Sequence, residues 1–274
     1  MNLKSWKTTL IGVVFLISFF LLNWISNSAS FGFVCLIYTV TFAAYLILIK
    51  YNASFSFKSL ALIAIVAHAA SIFFVPHLSN DYYRFLWDGG ITLEGYNPFD
   101  YKPVEMIDFK FYKESNYFQE VYYGVSEMSQ GNYSCYPPLN QFYFIVASLF
   151  SESIVINVIV LKMLIVATEL FGAIYLIRLL KLIHLPTSRA WLLYLNPLWI
   201  IECTGNLHFE GVMLSFLFIA LFFILKSKVT LGALFYALSI QIKLIPLVFL
   251  PFFYRILGIK KSILLYTSVI TIVI

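Results

Sequence analysis

The residues best equipped for chemistry lie in one polar stretch, Ser79-Asn80-Asp81-Tyr82-Tyr83-Arg84-Phe85-Leu86-Trp87-Asp88-Gly89, followed by Gly95-Tyr96-Asn97-Pro98-Phe99. It places two carboxylates, a guanidinium and several aromatic rings within a few positions of one another. A second polar group lies far along the chain, Glu202-Cys203-Thr204-Gly205-Asn206-Leu207-His208-Phe209-Glu210-Gly211, and Lys243 follows it. A carboxylate held at a surface can take the proton of an attacking hydroxyl, while a cation beside it neutralises a departing phosphate. Each group also has a structural reading. Asp81 suits the N-cap of a helix beginning near Tyr82, Asp88-Gly89-Gly90 and Asn97-Pro98 read as turns, and Lys243 reads equally well as a lysine anchoring a helix end at headgroup depth.

What must position these groups is mostly hydrocarbon. With 274 residues, 61% hydrophobic, 11% charged and a mean hydropathy of +0.88, the chain has too little polar surface for a water-soluble globule of this size. It reads as a polytopic membrane protein. The net charge of +5 comes from basic residues scattered over short loops, not from one patch, and no nucleic-acid motif is present. Cys35, Cys135 and Cys203 have no metal-ligand spacing and are too far apart to form a disulfide framework.

In chain order, the apolar run Thr9 to Ile25 behind Lys4 and Lys7 fits a signal peptide, with Ser28-Ala29-Ser30 as a cleavage site, or a first spanning helix. Its length and the hydrophobic segment directly behind it favour a retained helix. Phe31 to Ile49 and Leu60 to Val75 give the second and third spans. From Pro76 to about Tyr136 the sequence is polar, aromatic and acidic, long for a loop in a compact membrane protein, and so expected to be functional. Leu139 to Phe150 is too short to span and is expected to be an interfacial or re-entrant helix. Ile154 to Ile177 spans, Ala190 to Ile201 is a shorter span leading into the polar hairpin, and Val212 to Leu225 returns. Val229 to Tyr254 is read as two short helices broken at Gln241 to Pro246, and Ser262 to Ile274 begins a further span, which suggests an N-terminal fragment of a longer protein.

The charges order this topology. With the N-terminus inside, the basic residues from Lys4 to Lys58, those from Arg178 to Arg189, and Lys226, Lys228, Arg255, Lys260 and Lys261 all face the cytoplasm, and no Asp or Glu joins them. The acidic residues lie on the opposite face, in the long loop, at Glu152 and in the hairpin. Function is therefore expected on the periplasmic or lumenal side. Lys162 and Glu169 lie within a span, away from that face. Intramembrane ions invite a functional hypothesis, and pairing with polar groups on neighbouring helices is the favoured alternative.

The opening motif, the Tyr136-Pro137-Pro138-Leu139-Asn140-Gln141 segment, the stretch Asn196-Pro197-Leu198-Trp199-Ile200-Ile201-Glu202 with Gly205 to Glu210, and Ile242-Lys243-Leu244-Ile245-Pro246 together resemble GT-C superfamily glycosyltransferases. The likeness is to the bacterial polyprenol-phosphate-mannose-dependent mannosyltransferases, in the same order, over about Ser79 to Pro251. Glu210 departs from the pattern, standing where an Asp is usual, and the Asp100 to Asn132 segment is long.

The resemblance implies an all-helical transmembrane bundle in a single domain over residues 1–274, with short helices in an outer loop of about 76–138. It implies transfer of a hexose, mannose favoured, from a polyprenyl-phosphate donor to a lipid or glycan acceptor at the outer face of a bacterial inner membrane. Asp81 would be the general base, Arg84 and Lys243 the donor-phosphate cations, and Asp88, Asn97, Tyr136, His208 and Glu210 the substrate contacts. No protein-held metal centre is expected, although a divalent metal is compatible with the chemistry, and the partners are the bilayer and the two substrates. A secondary transporter or a non-catalytic, flippase-like assembly protein are the alternatives. A transporter would place its site near the midplane and show an internal repeat, and no repeat is visible.

Overall fold

The computed structural model describes residues 5–25, 31–76 and 78–273. Lys4 and the Ser28-Ala29-Ser30 stretch lie outside the described residues. Hydrocarbon offers no water to backbone N–H and C=O groups, so long apolar runs satisfy them internally as helices. Among the described residues all regular structure is helical. The helices α1 (Ser5–Ile25) and α2 (Phe31–Lys50) form a hairpin against α3 (Phe57–Ile72), closed by Phe15, Phe19, Ala44, Leu48, Leu60 and Ala64.

An outer layer of five helices follows: α4 (Asp81–Leu93), α5 (Lys110–Glu114), α6 (Asn116–Gly124), α7 (Glu127–Gln130) and α8 (Pro138–Ser148). Then come the long α9 (Ile154–Leu182), the short α10 (Trp191–Tyr194) and α11 (Pro197–Trp199), a π-helical turn Ile200–Gly205, α12 (Glu210–Leu225), α13 (Val229–Ile240) and α14 (Phe253–Val273). Trp6–Trp24, Phe31–Lys50 and Ile154–Leu182 are long and apolar enough to cross a membrane, Ile245–Val273 is so by length and composition although the chain turns back within it at Gly258, and Pro197–Gly205 with α12 forms a span bent by 106°. This is an integral membrane architecture.

Two features of the inner half differ from or refine the expectation. The anticipated Ala190 to Ile201 helix is interrupted, because Pro197 cannot donate to the preceding turn; Asn196 caps the new start, its Oδ1 accepting from the Leu198 N–H at 3.0 Å. Between α13 and α14 the chain does break after Ile240, and it reverses again at Gly258, whose φ of 71° suits a residue without Cβ. The Tyr266 hydroxyl donates to Leu250 O at 2.9 Å, although a straight helix would hold these residues about 24 Å apart. Gln241 reaches Ile272 O at 2.9 Å and Lys261 reaches Ser227 at 3.2 Å, so Lys260 and Lys261 return to the side of Lys226 and Lys228, as the broken-pair reading requires.

In the outer layer, Asp88-Gly89-Gly90 is the middle of α4, not a turn. The reason is contact with α8: a Cβ on Gly89 would lie 2.3 Å from the Phe144 carbonyl oxygen, so only glycine lets the two helices meet. The helix ends instead at Gly95, φ 86°, with Tyr96 N–H bonded to Ile91 O at 2.9 Å and Gly95 N–H to Thr92 O at 3.1 Å. Trp87, fully buried, is ringed by Phe111, Tyr112, Phe118 and Tyr122, and this packing folds the long acidic segment back over α4. The expected interfacial helix is α8, which packs on α4 and α9 through Tyr143, Phe144 and Ala147 and is not a free surface element.

A buried ion pair fastens this layer. Arg84 donates from Nε to Asp88 Oδ1 at 2.7 Å and from Nη1 to the carbonyls of Ser129, 2.6 Å, and Asn132, 2.9 Å. Asp88 also accepts from Ser134 at 2.6 Å and Gln141 at 3.2 Å. One helix turn thus ties α4 to the 129–134 segment and to α8. Burial pushes the Asp88 carboxyl above the usual carboxylate range, with Arg84, Ser134 and Gln141 pulling the other way.

Removing one partner strands the other charge. Arg84→Met should destabilise the protein by about 3–5 kcal/mol, and the double change Arg84→Met with Asp88→Leu should recover much of that loss. Thermal unfolding of the solubilised protein reads both, and an unperturbed melt for the single variant would contradict the role. Gly89→Val should lower stability by about 3 kcal/mol through overpacking against Phe144, measured in the same assay.

Candidate active site

Asp81 is the first residue of α4. The cap position belongs to Asn80, whose side chain makes no capping bond, so the N-cap reading of Asp81 does not hold. The Asp81 carboxylate is exposed and has no hydrogen-bond or ion-pair partner among the described residues. At a helix N-terminus its negative charge is favoured by the peptide dipoles.

One turn further, on the same face of α4, Phe85 builds the floor beneath Asp81. Its ring stacks on Phe144 at 4.6 Å and meets Tyr136 at 4.9 Å and Phe209 at 5.8 Å, both edge-on. Phe209 also packs on Phe144 at 5.6 Å and Tyr143 at 5.5 Å. Since Phe209 lies between His208 and Glu210, this aromatic cluster draws the distant hairpin under α4. Burial first, and then the charge of Asp81, push the Tyr136 hydroxyl above its usual range, so it stays protonated as a donor at neutral pH.

The hairpin itself is over-determined. Asn206 N–H closes on Ile201 O at 2.7 Å and His208 N–H on Glu202 O at 3.0 Å. Between them Leu207, fully buried, holds a left-handed φ of 63°, a costly conformation that the surrounding packing sustains. His208 Nδ1 faces Glu202 Oε2 at 3.0 Å, and Glu210 is ion-paired with Lys243. Asn140 at the start of α8 donates to Ile242 O at 2.9 Å, which pins the turn carrying Lys243 to the outer layer.

Of the residues singled out in the sequence, Asp81, Tyr136, His208 and Glu210 are carried by the three elements that this cluster joins, and Lys243 by the turn that Asn140 ties to α8. Arg84 and Asp88 lie beneath, in the interior, and are engaged with each other; Arg84 is 3% exposed and has no charge to offer a ligand from outside. Lys243, expected to face a phosphate, is likewise neutralised by Glu210. Asn97 lies past the far end of α4, about 18 Å along the helix from Asp81, where its side chain bonds Asp100 at 3.0 Å and the Phe99 N–H at 3.1 Å as a turn residue.

Several supporting residues were not singled out by sequence: Ser134 and Gln141 on Asp88, and Asn140 on Ile242. Asn140 and Gln141 belong to the Tyr-Pro-Pro segment, which was the available signal. Glu169 and Lys162 each find polar partners on other segments, not each other: Glu169 accepts from Thr204 at 3.2 Å and faces His68 at 3.3 Å, while Lys162 donates to the carbonyls of Ser71 at 2.9 Å and Phe74 at 2.5 Å. The Phe74 contact puts the Lys162 ammonium near the outer end of α3, not deep in the bundle. Among the described residues no three His, Cys, Asp or Glu side chains gather as a metal centre.

No curated protein and no solved structure matches the chain significantly. One family model does, described as the N-terminal domain of alpha-(1->6)-mannopyranosyltransferase, and it covers residues 8–258. That range contains every span up to Gly258, the outer layer and the hairpin, and the match agrees with the glycosyltransferase motifs read from the sequence. The chain belongs to this MptA_B family of alpha-(1->6)-mannopyranosyltransferases.

Proposed function

We propose that the protein transfers mannose from a polyprenyl-phosphate donor to a hydroxyl of a glycan or lipid acceptor at the outer face of a bacterial inner membrane, with the N-terminus cytoplasmic. Asp81 is the general base. It takes the acceptor hydroxyl proton as the oxygen attacks the anomeric carbon, the bond from that carbon to the phosphate oxygen breaks, and polyprenyl phosphate departs with the electron pair, inverting the anomeric centre. The observation that carries this reading is the state of the carboxylates around the aromatic cluster. Asp88, Glu202 and Glu210 each hold a basic partner, and Asp81 alone among them is unpaired and exposed.

Tyr136, a protonated hydroxyl close enough for Asp81 to raise it, is suited to hold an acceptor oxygen beside that base. His208, Glu210 and Lys243 serve as sugar and acceptor contacts, each partly exposed and held in orientation by its ion pair. Arg84 and Asp88 act from below by keeping the N-terminal turn of α4 and the Tyr136 segment in register. The retained charge of Glu210 in place of the usual Asp is met by Lys243.

Asp81→Asn keeps the size and the helix start while removing the base. Transfer from radiolabelled polyprenyl-phosphate mannose in membranes should fall by about a hundredfold or more, with protein level and melting behaviour unchanged. Turnover at the wild-type rate would contradict the assignment.

A further inference from the structure

The cations on the outer side of the bundle are nearly all neutralised. Arg84 pairs with Asp88, Lys102 with Glu105, Lys110 with Glu114, Lys113 with Asp108 and Lys243 with Glu210. Lys162 is the exception. It is fully buried, and among the described residues no carboxylate pairs with it. Its ammonium holds the carbonyls of Ser71 and Phe74, which leaves one of its three N–H donors and its unit charge without a counterpart.

Lys162 lines a cleft of about 50 Å³ at this end of the bundle, together with Asn206 from the hairpin. Asn206 is 4% exposed, and its side-chain amide has no hydrogen-bond partner among the described residues. The remaining wall is largely apolar and comes from the α1–α2 hairpin and the strand of chain before α4, including Leu22, Val34, Tyr38 and Leu78. A buried ammonium without a counter-ion is expensive in a low-dielectric setting, and the Asn206 amide, which is open to the cleft, offers a further N–H donor beside it. One anionic group bearing several acceptor oxygens would complete both, and the apolar wall would receive the chain attached to it.

We propose that Lys162 and Asn206 form a binding site for the phosphate of a membrane lipid, entered from the bilayer beside α1 and α2. The apolar wall selects a lipid phosphate over a free one. Leu78, on the rim, stands three residues before Asp81, so a sugar carried on that phosphate would lie close to the proposed base. This last step rests on the function proposed above, where the lipid is the polyprenyl-phosphate sugar; the phosphate site itself does not.

The test is binding by the full chain in phosphatidylcholine nanodiscs, read as thermal stabilisation during titration with a polyprenyl monophosphate, the matching polyprenol or inorganic phosphate. The polyprenyl monophosphate should bind at least about tenfold more tightly than either of the others. Lys162→Met should weaken it by about tenfold or more, Lys162→Arg should retain it, and Asn206→Ala should weaken it severalfold. Because Lys162 also holds the end of α3, Val34→Phe gives an independent arm: it fills the cleft from α2 without touching the lysine and should cause the same loss. Unchanged binding in Val34→Phe and in a folded Lys162→Met, or equal binding of polyprenol, overturns the site. Asp81→Asn should bind as wild type does. Phosphate-dependent binding through Lys162 without mannosyl transfer would leave the site standing and remove the function, whereas transfer with binding indifferent to Lys162 would do the reverse.

Discussion

A guanidinium and a carboxylate withdrawn from water together lose several kcal/mol of hydration each, and their attraction offsets this only where further hydrogen bonds support it. Arg84 and Asp88 meet that condition, one turn apart in α4, through the Ser129 and Asn132 carbonyls on one side and the Ser134 and Gln141 donors on the other. The consequence extends well beyond the pair. It fixes the rotation of α4, so Phe85 meets the hairpin, with Asp81 one turn before it, while Trp87 anchors the acidic segment. It also holds the 129–136 stretch, and with it Tyr136, against the same helix.

The charge distribution follows the same logic at larger scale. Around the aromatic cluster and the cleft beside it, each charge that finds a partner becomes scaffold, and Asp81 and Lys162 are left without an ionic partner. Asp81 is an unpaired carboxylate at a helix N-terminus, suited to receiving a proton. Lys162 is an unpaired cation under an apolar cleft, suited to receiving an anion. The two lie on either side of the short segment from Phe74 to Asp81, which Lys162 itself holds through the Phe74 carbonyl. A donor bound by its phosphate and an acceptor activated at Asp81 would then meet across this short stretch of chain, which is how a membrane enzyme can react an amphiphile with a polar partner.

Much of this was legible in the sequence. Apolar length and the segregation of Lys and Arg from Asp and Glu give the spans and their order, because the bilayer imposes both. The break after Ile240 followed from the need to return Lys260 and Lys261 to the basic side. What escaped was what local patterns do not encode. Asp88-Gly89-Gly90 has the composition of a turn, and only contact with Phe144 makes it helix. Arg84 looked like a free cation because its partners at Ser129 and Asn132 are backbone carbonyls, which carry no residue signature. Lys162 sits within the span of α9 by its position in the sequence, but its four-carbon side chain reaches the outer end of α3. Asn97 was drawn into the site by its motif, although the length of α4 sets it apart.

Asp81, and no other carboxylate, is proposed to face the hydroxyl that is glycosylated. A cryo-electron microscopy structure of the full protein with a non-hydrolysable polyprenyl-phosphate mannose analogue and an acceptor saccharide tests this directly. An Asp81 carboxylate oxygen is expected within about 3 Å of the acceptor hydroxyl, with Asp88 still bound to Arg84 beneath it. An acceptor hydroxyl lodged instead against Glu202, Glu210 or Asp88, with Asp81 turned to solvent, would contradict it.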